Sequence, residues 1–226
     1  MVYFKKTDIE PLVLNSIRSS LGDYRHTDIL FAIKADFYDK CYICEQKGIS
    51  SINVEHFAPH KDIDMIRKYN WSNLFWACSH CNTIKSSNYD GKLLNCTIKE
   101  DNVDTKIRYM LNFNSINREE QIIIDNIDNS INTLNTVELL RKVYKGTTAL
   151  NKHHSVLLRN KIYDEIFNFQ CTLDKYLISE DEEKKEEIYL YSIKKELSNK
   201  SPFSAFKRDI VRYTPQYNIF IQYILP

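Results

Sequence analysis

The sequence predicts an α+β fold, mostly helical, with one small strand-strand-helix core between flanking N-terminal helices and a helical C-terminal half. Three observations lead there. Two Cys-x-x-Cys pairs, Cys41/Cys44 and Cys78/Cys81, bracket a β-prone stretch. Apolar residues recur at helical spacing over much of the remaining chain. Only four Gly and five Pro occur, too few punctuating residues for a turn-rich β fold.

The cysteines come first, because they staple the core. Four thiolates can hold one Zn²⁺ tetrahedrally, and a two-residue gap within each pair is what a tight knuckle needs. Residues 45–77 form a longer insert than a compact zinc finger has, so something folded must sit between the pairs. Four unrelated thiols, or two redox pairs, are the rival reading, and the matched spacing speaks against it. The opening Met1-Val-Tyr-Phe-Lys-Lys lacks the apolar segment of a secretory signal, which weakens a disulfide framework. Cys41, Cys44, Cys78 and Cys81 are therefore the expected ligands of a structural zinc. Cys96 and Cys171 are expected to be small buried residues.

Inside the bracket, residues 53–57 alternate and read as a strand, residues 74–77 as a second strand, and residues 79–89 as a helix with Ser79 or Asn82 near its start. This order sets His56 on a strand opposite Asn82 on the helix. A His beside the carboxylate of Glu55, facing an Asn, can share one hydrated divalent cation while the imidazole serves as a base.

At these residues the chain resembles the HNH endonucleases, the ββα-metal fold. Glu55-His56 matches the family's acid-His pair. Asn73 matches its central Asn, Asn82 the residue directly after the last Cys, and Lys85 the basic residue that commonly follows. Glu55 stands where many members carry Asp, and Asn82 where many carry His. Both offer oxygen to Mg²⁺ or Mn²⁺, and the metal preference stays open. The resemblance implies that His56, Asn73 and Asn82 are catalytic, that Glu55 and Asn82 bind the catalytic metal, and that Lys85 holds a substrate phosphate. It also implies that Asn73 orients the His56 ring through its backbone carbonyl. The implied reaction is metal-assisted phosphodiester hydrolysis in nucleic acid, with DNA expected ahead of RNA.

The rest of the chain follows in order. Thr7 to Glu10 form a capping-box pattern for a helix over 8–21, ended by Gly22. A second helix, capped by Thr27 or Asp28, runs through Phe37, with His26 a surface residue in the loop before it. His60 is expected to face solvent, contact with metal or phosphate being the rival. Residues 62–69 form a short helix or loop, and Trp71 and Trp76 belong to the core. His80 points outward from the knuckle and is the substitute ligand should one Cys not bind. Residues 107–114 suggest an added strand. From about residue 118, Ile124, Ile127, Ile131 and Leu134 suggest an amphipathic helix. Asn135 or Thr136 then caps a helix bearing Val137, Leu140, Val143 and Tyr144. A long helix covers 150–177, with His153 and His154 pointing in different directions near its start. The acidic run over 180–187 is a solvated helix start. Pro202 suits the first turn of a last helix, whose Lys207, Arg208 and Arg212 meet either a phosphate backbone or solvent. The expected division is N-terminal helices over 1–40, a nuclease core over 41–116 and a helical region over 117–226.

Lys and Arg number 31 against 30 Asp and Glu, so no global basic field exists and any nucleic-acid contact must be local. No apolar run approaches the length of a membrane span, and a cytoplasmic protein is expected. In finer detail the chain resembles the HNH subunit of Septu and retron-associated anti-phage systems. Glu55-His-Phe-Ala-Pro, Asn73-Leu and Cys78-x-x-Cys-Asn-x-x-Lys follow that style, as do Leu150-Asn-Lys with Arg159 and Ser201-Pro-Phe-Ser-Ala-Phe-Lys-Arg. This implies an ATPase partner of ABC or SMC-like type, docked on the C-terminal half. Two alternatives stand beside it. One is a free-standing restriction-type or homing nuclease, against which no helix-turn-helix with a basic recognition helix stands out. The other is a non-catalytic, zinc-stabilised nucleic-acid-binding module, which needs only the four Cys.

Overall fold

A strand pair and a short helix form the centre of the molecule. The computed structural model describes residues 1–61, 63–112 and 121–224. Strand β1 (Ile52–His56) runs antiparallel to β2 (Leu74–Cys78), from Ile52 opposite Cys78 to His56 opposite Leu74. Every residue of β2 is buried, so this short ladder sits within the core. Helix α4 (Ser79–Lys85) follows directly, and Cys78 caps it by accepting the Cys81 amide at 3.4 Å. The expected helix over 79–89 stops early because Ser86 turns into left-handed backbone, φ 48°.

Before this core lie α1 (Leu12–Ser20) and α2 (Thr27–Asp36). The Thr7 capping box does not form. The Thr7 amide bonds Asp36 instead, Glu10 pairs with Arg18, and α1 begins after Pro11. His26, not Thr27 or Asp28, caps α2 by accepting the Asp28 amide. Between β1 and β2 stand a turn of helix, α3 (Met65–Lys68), capped by Asp64, and a 3₁₀ turn (Trp71–Asn73).

A second antiparallel pair, β3 (Ile107–Leu111) and β4 (Ile122–Asn126), replaces the start of the expected amphipathic helix. The Ile122-Ile123-Ile124 run is β-branched, and its burial alternates with period two. Ile124, Ile127 and Ile131 fall at helical offsets only by coincidence. The expected starting point near residue 118 and the end of the 107–114 strand lie outside the described residues. Helix α5 (Ile131–Lys145) is continuous and is capped by Ser130. Asn135 and Thr136, the two expected caps, sit inside it, with Thr136 donating to Asn132 O and accepting the Leu94 amide.

Helix α6 (Ala149–Ile178) follows a sharp turn at Gly146, where φ is 81° and a Cβ would lie 2.5 Å from the Lys152 nitrogen. The acidic run forms an exposed helix start, as expected, with Asp181 capping α7 (Glu182–Lys184). A π-helical stretch (Lys185–Leu190), α8 (Tyr191–Leu197), α9 (Ser204–Tyr213) and a 3₁₀ segment (Pro215–Tyr223) complete the chain. Pro202 lies ahead of α9, not in its first turn.

One apolar cluster draws residues from Met1 to Phe206, including all four cysteines of the bracket. Glu45, next to Cys44, ties this cluster together. Its carboxylate pairs with the α-amino group of Met1 at 3.0 Å and with Lys40 at 3.2 Å, and it accepts the Ala205 amide at 3.3 Å. Burial alone would raise the Glu45 carboxyl, but those two cations outweigh it and hold it at about 2. The basic cluster is also internal. Lys207 pairs with Glu165 and Glu196, Arg208 with Asp104, and Arg212 with Asp104 and Asp209. Lys207 and Arg208 are buried, so they lock α9 to its neighbours and offer nothing to a phosphate backbone. Among the described residues, no helix is long and apolar enough to cross a membrane.

Candidate active site

The four cysteines converge. Their sulfurs lie within 4.8 Å of one another and all are buried, with Cys44 Sγ 3.9 Å from Cys78 Sγ. A tetrahedral zinc with Zn–S bonds of about 2.3 Å needs sulfurs about 3.8 Å apart, so the grouping fits the ion. The two pairs come from different places: Cys41 and Cys44 from the knuckle after α2, Cys78 and Cys81 from the junction of β2 and α4. A metal here therefore clamps strand to helix. His80 is not a ligand and does not point outward. Its Nε2 lies 2.9 Å from Val143 O, so it pins the knuckle to α5, and its ring meets His154 of α6 at 5.7 Å. Burial lowers its pKa.

Glu55, His56 and Asn82 line one cleft of about 440 Å³, together with His60, Lys61 and Ser86 on its walls. The strand-opposite-helix placement read from the sequence is thus realised in a shared cavity. His56 is 8% exposed, and its Nε2 lies 3.0 Å from Lys68 O. A carbonyl only accepts, so Nε2 carries the hydrogen and Nδ1 is left as the acceptor. Burial depresses the His56 pKa to about 4. The Lys68 carbonyl opposes this, and the nearby charges of His60, Lys85 and Lys68 add to it. The ring is therefore neutral at pH 7, the form a base requires.

Asn73 does not supply the carbonyl that orients the ring. Its backbone oxygen accepts the Phe57 amide at 3.0 Å. Its side chain accepts the Ala58 amide at 2.7 Å and donates to Ala58 O and Arg67 O. Asn73 thus fastens the segment after His56 to α3, and α3 presents the Lys68 carbonyl. Its grip on the ring is indirect.

Lys85 is also placed otherwise than expected. Its side chain is fully buried, 2.5 Å from Glu55 Oε1 and 3.0 Å from His56 O. It faces inward between α4 and β1 and is not positioned to hold a substrate phosphate. Burial raises the Glu55 pKa, and the Lys85 charge opposes that rise. One Glu55 oxygen is engaged by Lys85, which leaves the second for another cation. Among the described residues, no protein group hydrogen-bonds the Asn82 amide. One carboxylate and one amide form a hard oxygen donor set that suits Mg²⁺ or Mn²⁺, ions that keep several waters.

Two contributors, Tyr24 and Lys68, escaped the sequence reading, and a third, His60, stood there only as the rival to a solvent-facing role. His60 packs edge-on to His56, with ring centroids 4.4 Å apart, and so belongs to the cleft. Tyr24 packs on the ring at 4.8 Å. Lys68 contributes only a backbone carbonyl. The four-residue offset from His56 was a signal for His60; the other two had none.

No curated protein and no solved structure matches the chain. The family model for HNH endonuclease matches residues 41–88, a span that holds both Cys pairs, Glu55, His56, Asn73, Asn82 and Lys85, so over this stretch the chain is similar to that family.

Proposed function

We propose that this chain is a metal-dependent HNH endonuclease that hydrolyses phosphodiester bonds in nucleic acid, DNA ahead of RNA. The observation that carries the reading is the His56 ring, held by the Lys68 carbonyl, sharing one cleft with Glu55 and Asn82. A water in the cleft gives its proton to Nδ1 of His56 as its oxygen attacks phosphorus, and the bond from phosphorus to the 3′-oxygen breaks. Mg²⁺ or Mn²⁺, held by Glu55 and Asn82, would supply charge neutralisation at the phosphoryl and departing oxygens. Lys85 favours the ionised form of Glu55 and joins β1 to α4. The four Cys do no chemistry; with zinc they keep strand and helix in register.

The finer placement, in an anti-phage complex with an ABC or SMC-like ATPase, rests on the sequence resemblance. Of its C-terminal patches, Arg159, Lys207 and Arg208 are internal ties, while Leu150 and Lys152 are exposed. Arg159 donates to Tyr144 O, and Lys207 pairs with Glu165. Docking would use exposed surfaces of the helical half, Leu150 and Lys152 among them, and co-purification with a neighbouring ATPase tests it.

A second reading, a zinc-stabilised binding module without catalysis, draws on one observation: the Lys85 ammonium already neutralises Glu55. A nicking assay separates the two. Wild-type protein should nick plasmid in Mg²⁺ or Mn²⁺ and not in EDTA. His56→Ala should abolish nicking with zinc content and circular dichroism unchanged. DNA binding without cleavage by the wild type would favour the binding module, and full cleavage by His56→Ala would remove His56 as the base.

A further inference from the structure

Beside the candidate active site lies a second cleft, of about 370 Å³, between the turn after α4 and the face of α5. The first cleft ends at Ser86 and Ser87, and the second begins at Asn88 and Tyr89. Residues 86–89 are consecutive, so the two clefts follow one another along the turn after α4. These four residues span at most about 14 Å, or about four nucleotides at 3.4 Å rise per residue of a strand.

The second cleft is preformed. Tyr89 is buried and its hydroxyl accepts from Lys142 at 3.2 Å. The Asn135 amide donates to Lys92 O at 2.9 Å, and Thr136 accepts the Leu94 amide. The turn is therefore fastened to α5 at three points. Lys92, Lys142, Asn88 and Asn135 line the cleft, with the Lys142 ammonium held between Tyr89 and Glu138. Glu138 opposes them, 2.5 Å from Lys142. That pair is exposed on both sides, and exposed pairs contribute little, so a phosphate can take the carboxylate's place.

We propose that this second cleft carries the phosphodiester backbone of the nucleic-acid strand as it leaves the candidate active site. The proposal rests on the nuclease reading for its substrate class and extends it to α5. Ammonium and amide groups recognise phosphate and sugar, and only Ile131 among the lining side chains is aliphatic. The contact is therefore independent of sequence. It also replaces the phosphate contact that the buried Lys85 does not make.

The test uses the full chain with His56→Ala in the background, so that binding is read without cleavage. Fluorescence anisotropy on labelled duplex DNA, single-stranded DNA and RNA gives affinity at several salt concentrations. The double variant Lys92→Gln/Lys142→Gln should weaken binding about tenfold near physiological salt. It should also lower the salt slope by about two, one unit per lost phosphate contact. Glu138→Gln should tighten binding on the same strand type. Lys175→Gln, on α6 and lining neither cleft, is the control and should change nothing. Melting curves check that each variant is folded. Opposite signs for the lysine and glutamate variants support the proposal. Affinity and slope unmoved by all three substitutions overturn it. Absence of cleavage by His56-intact protein, with the opposite shifts present, would count against the nuclease reading while supporting the strand path.

Discussion

Lys85 Nζ lies 2.5 Å from Glu55 Oε1, with the Lys85 side chain fully buried and that of Glu55 8% exposed. The last turn of α4 thus grips the strand at the residue before the candidate base, and the same ammonium holds His56 O. Removing one partner of a buried pair strands the other charge, at a cost of about 3–5 kcal/mol. Lys85→Met should show that loss in urea unfolding, and adding Glu55→Gln should restore much of it. A Lys85→Met protein of unchanged stability but weaker DNA binding would show instead that Lys85 faces substrate.

The cysteine bracket was legible because zinc fixes ligand type and spacing in the sequence itself. The short strands were legible from local alternation, and His56 and Asn82 from their offsets to the cysteines. Side-chain direction was not. A lysine one turn beyond Asn82 reads equally as surface or interior, and only the packing of α4 against β1 decides. His80 was read as outward because α5, which supplies its acceptor at Val143, lies far along the chain. The β4 error has another source. Three consecutive isoleucines fit both periods over so short a run, and pairing with β3 chose the strand.

Asn73→Ala should act on His56 at a distance. The substitution removes three hydrogen bonds that join residue 58 to α3, each worth about 1 kcal/mol net. Stability should fall by roughly 2–3 kcal/mol, and kcat should fall with little change in KM. A purely structural role would leave the pH–rate profile in place. Loosening α3 should instead expose the His56 ring and move the acid limb of the profile upward. A variant as active as wild type with an unshifted limb would remove Asn73 from the positioning of the base.

Cys78 has two tasks, and its loss should show both. As one of four converging sulfurs it would help hold zinc, and as the cap of α4 it accepts the Cys81 amide. Cys78→Ser keeps a capping oxygen, so any loss beyond the cap belongs to the metal. The expected result is near-complete loss of bound zinc, with loss of the cooperative melting transition. A strong chelator should produce the same melt in wild-type protein. Retained folding and cleavage after zinc removal would end the structural role assigned to the ion.

Asp209 makes stability depend on pH in a direction opposite to ordinary acid denaturation. It is 4% exposed; its carboxylate accepts the Tyr109 amide at 2.6 Å and faces Arg108 at 3.4 Å and Arg212 at 3.5 Å. Burial outweighs these partners and raises its pKa to about 6, against an ordinary 3.8, with Asp104 adding like charge. The folded state therefore keeps this proton after the unfolded chain has released it. Below about pH 4 the group is neutral in both states. As pH rises from about 4 to about 6, ionisation favours the unfolded chain, so stability falls, by roughly 2–3 kcal/mol in all. Asp209→Asn cannot ionise and should lack that fall. Melting temperatures of the two proteins across this window isolate the effect, since titrating groups that do not interact with residue 209 cancel in the difference. The wild-type curve should decline relative to the variant between pH 4 and pH 6 and run parallel to it above pH 7; parallel curves throughout would mean that the two arginines, not burial, govern this carboxylate.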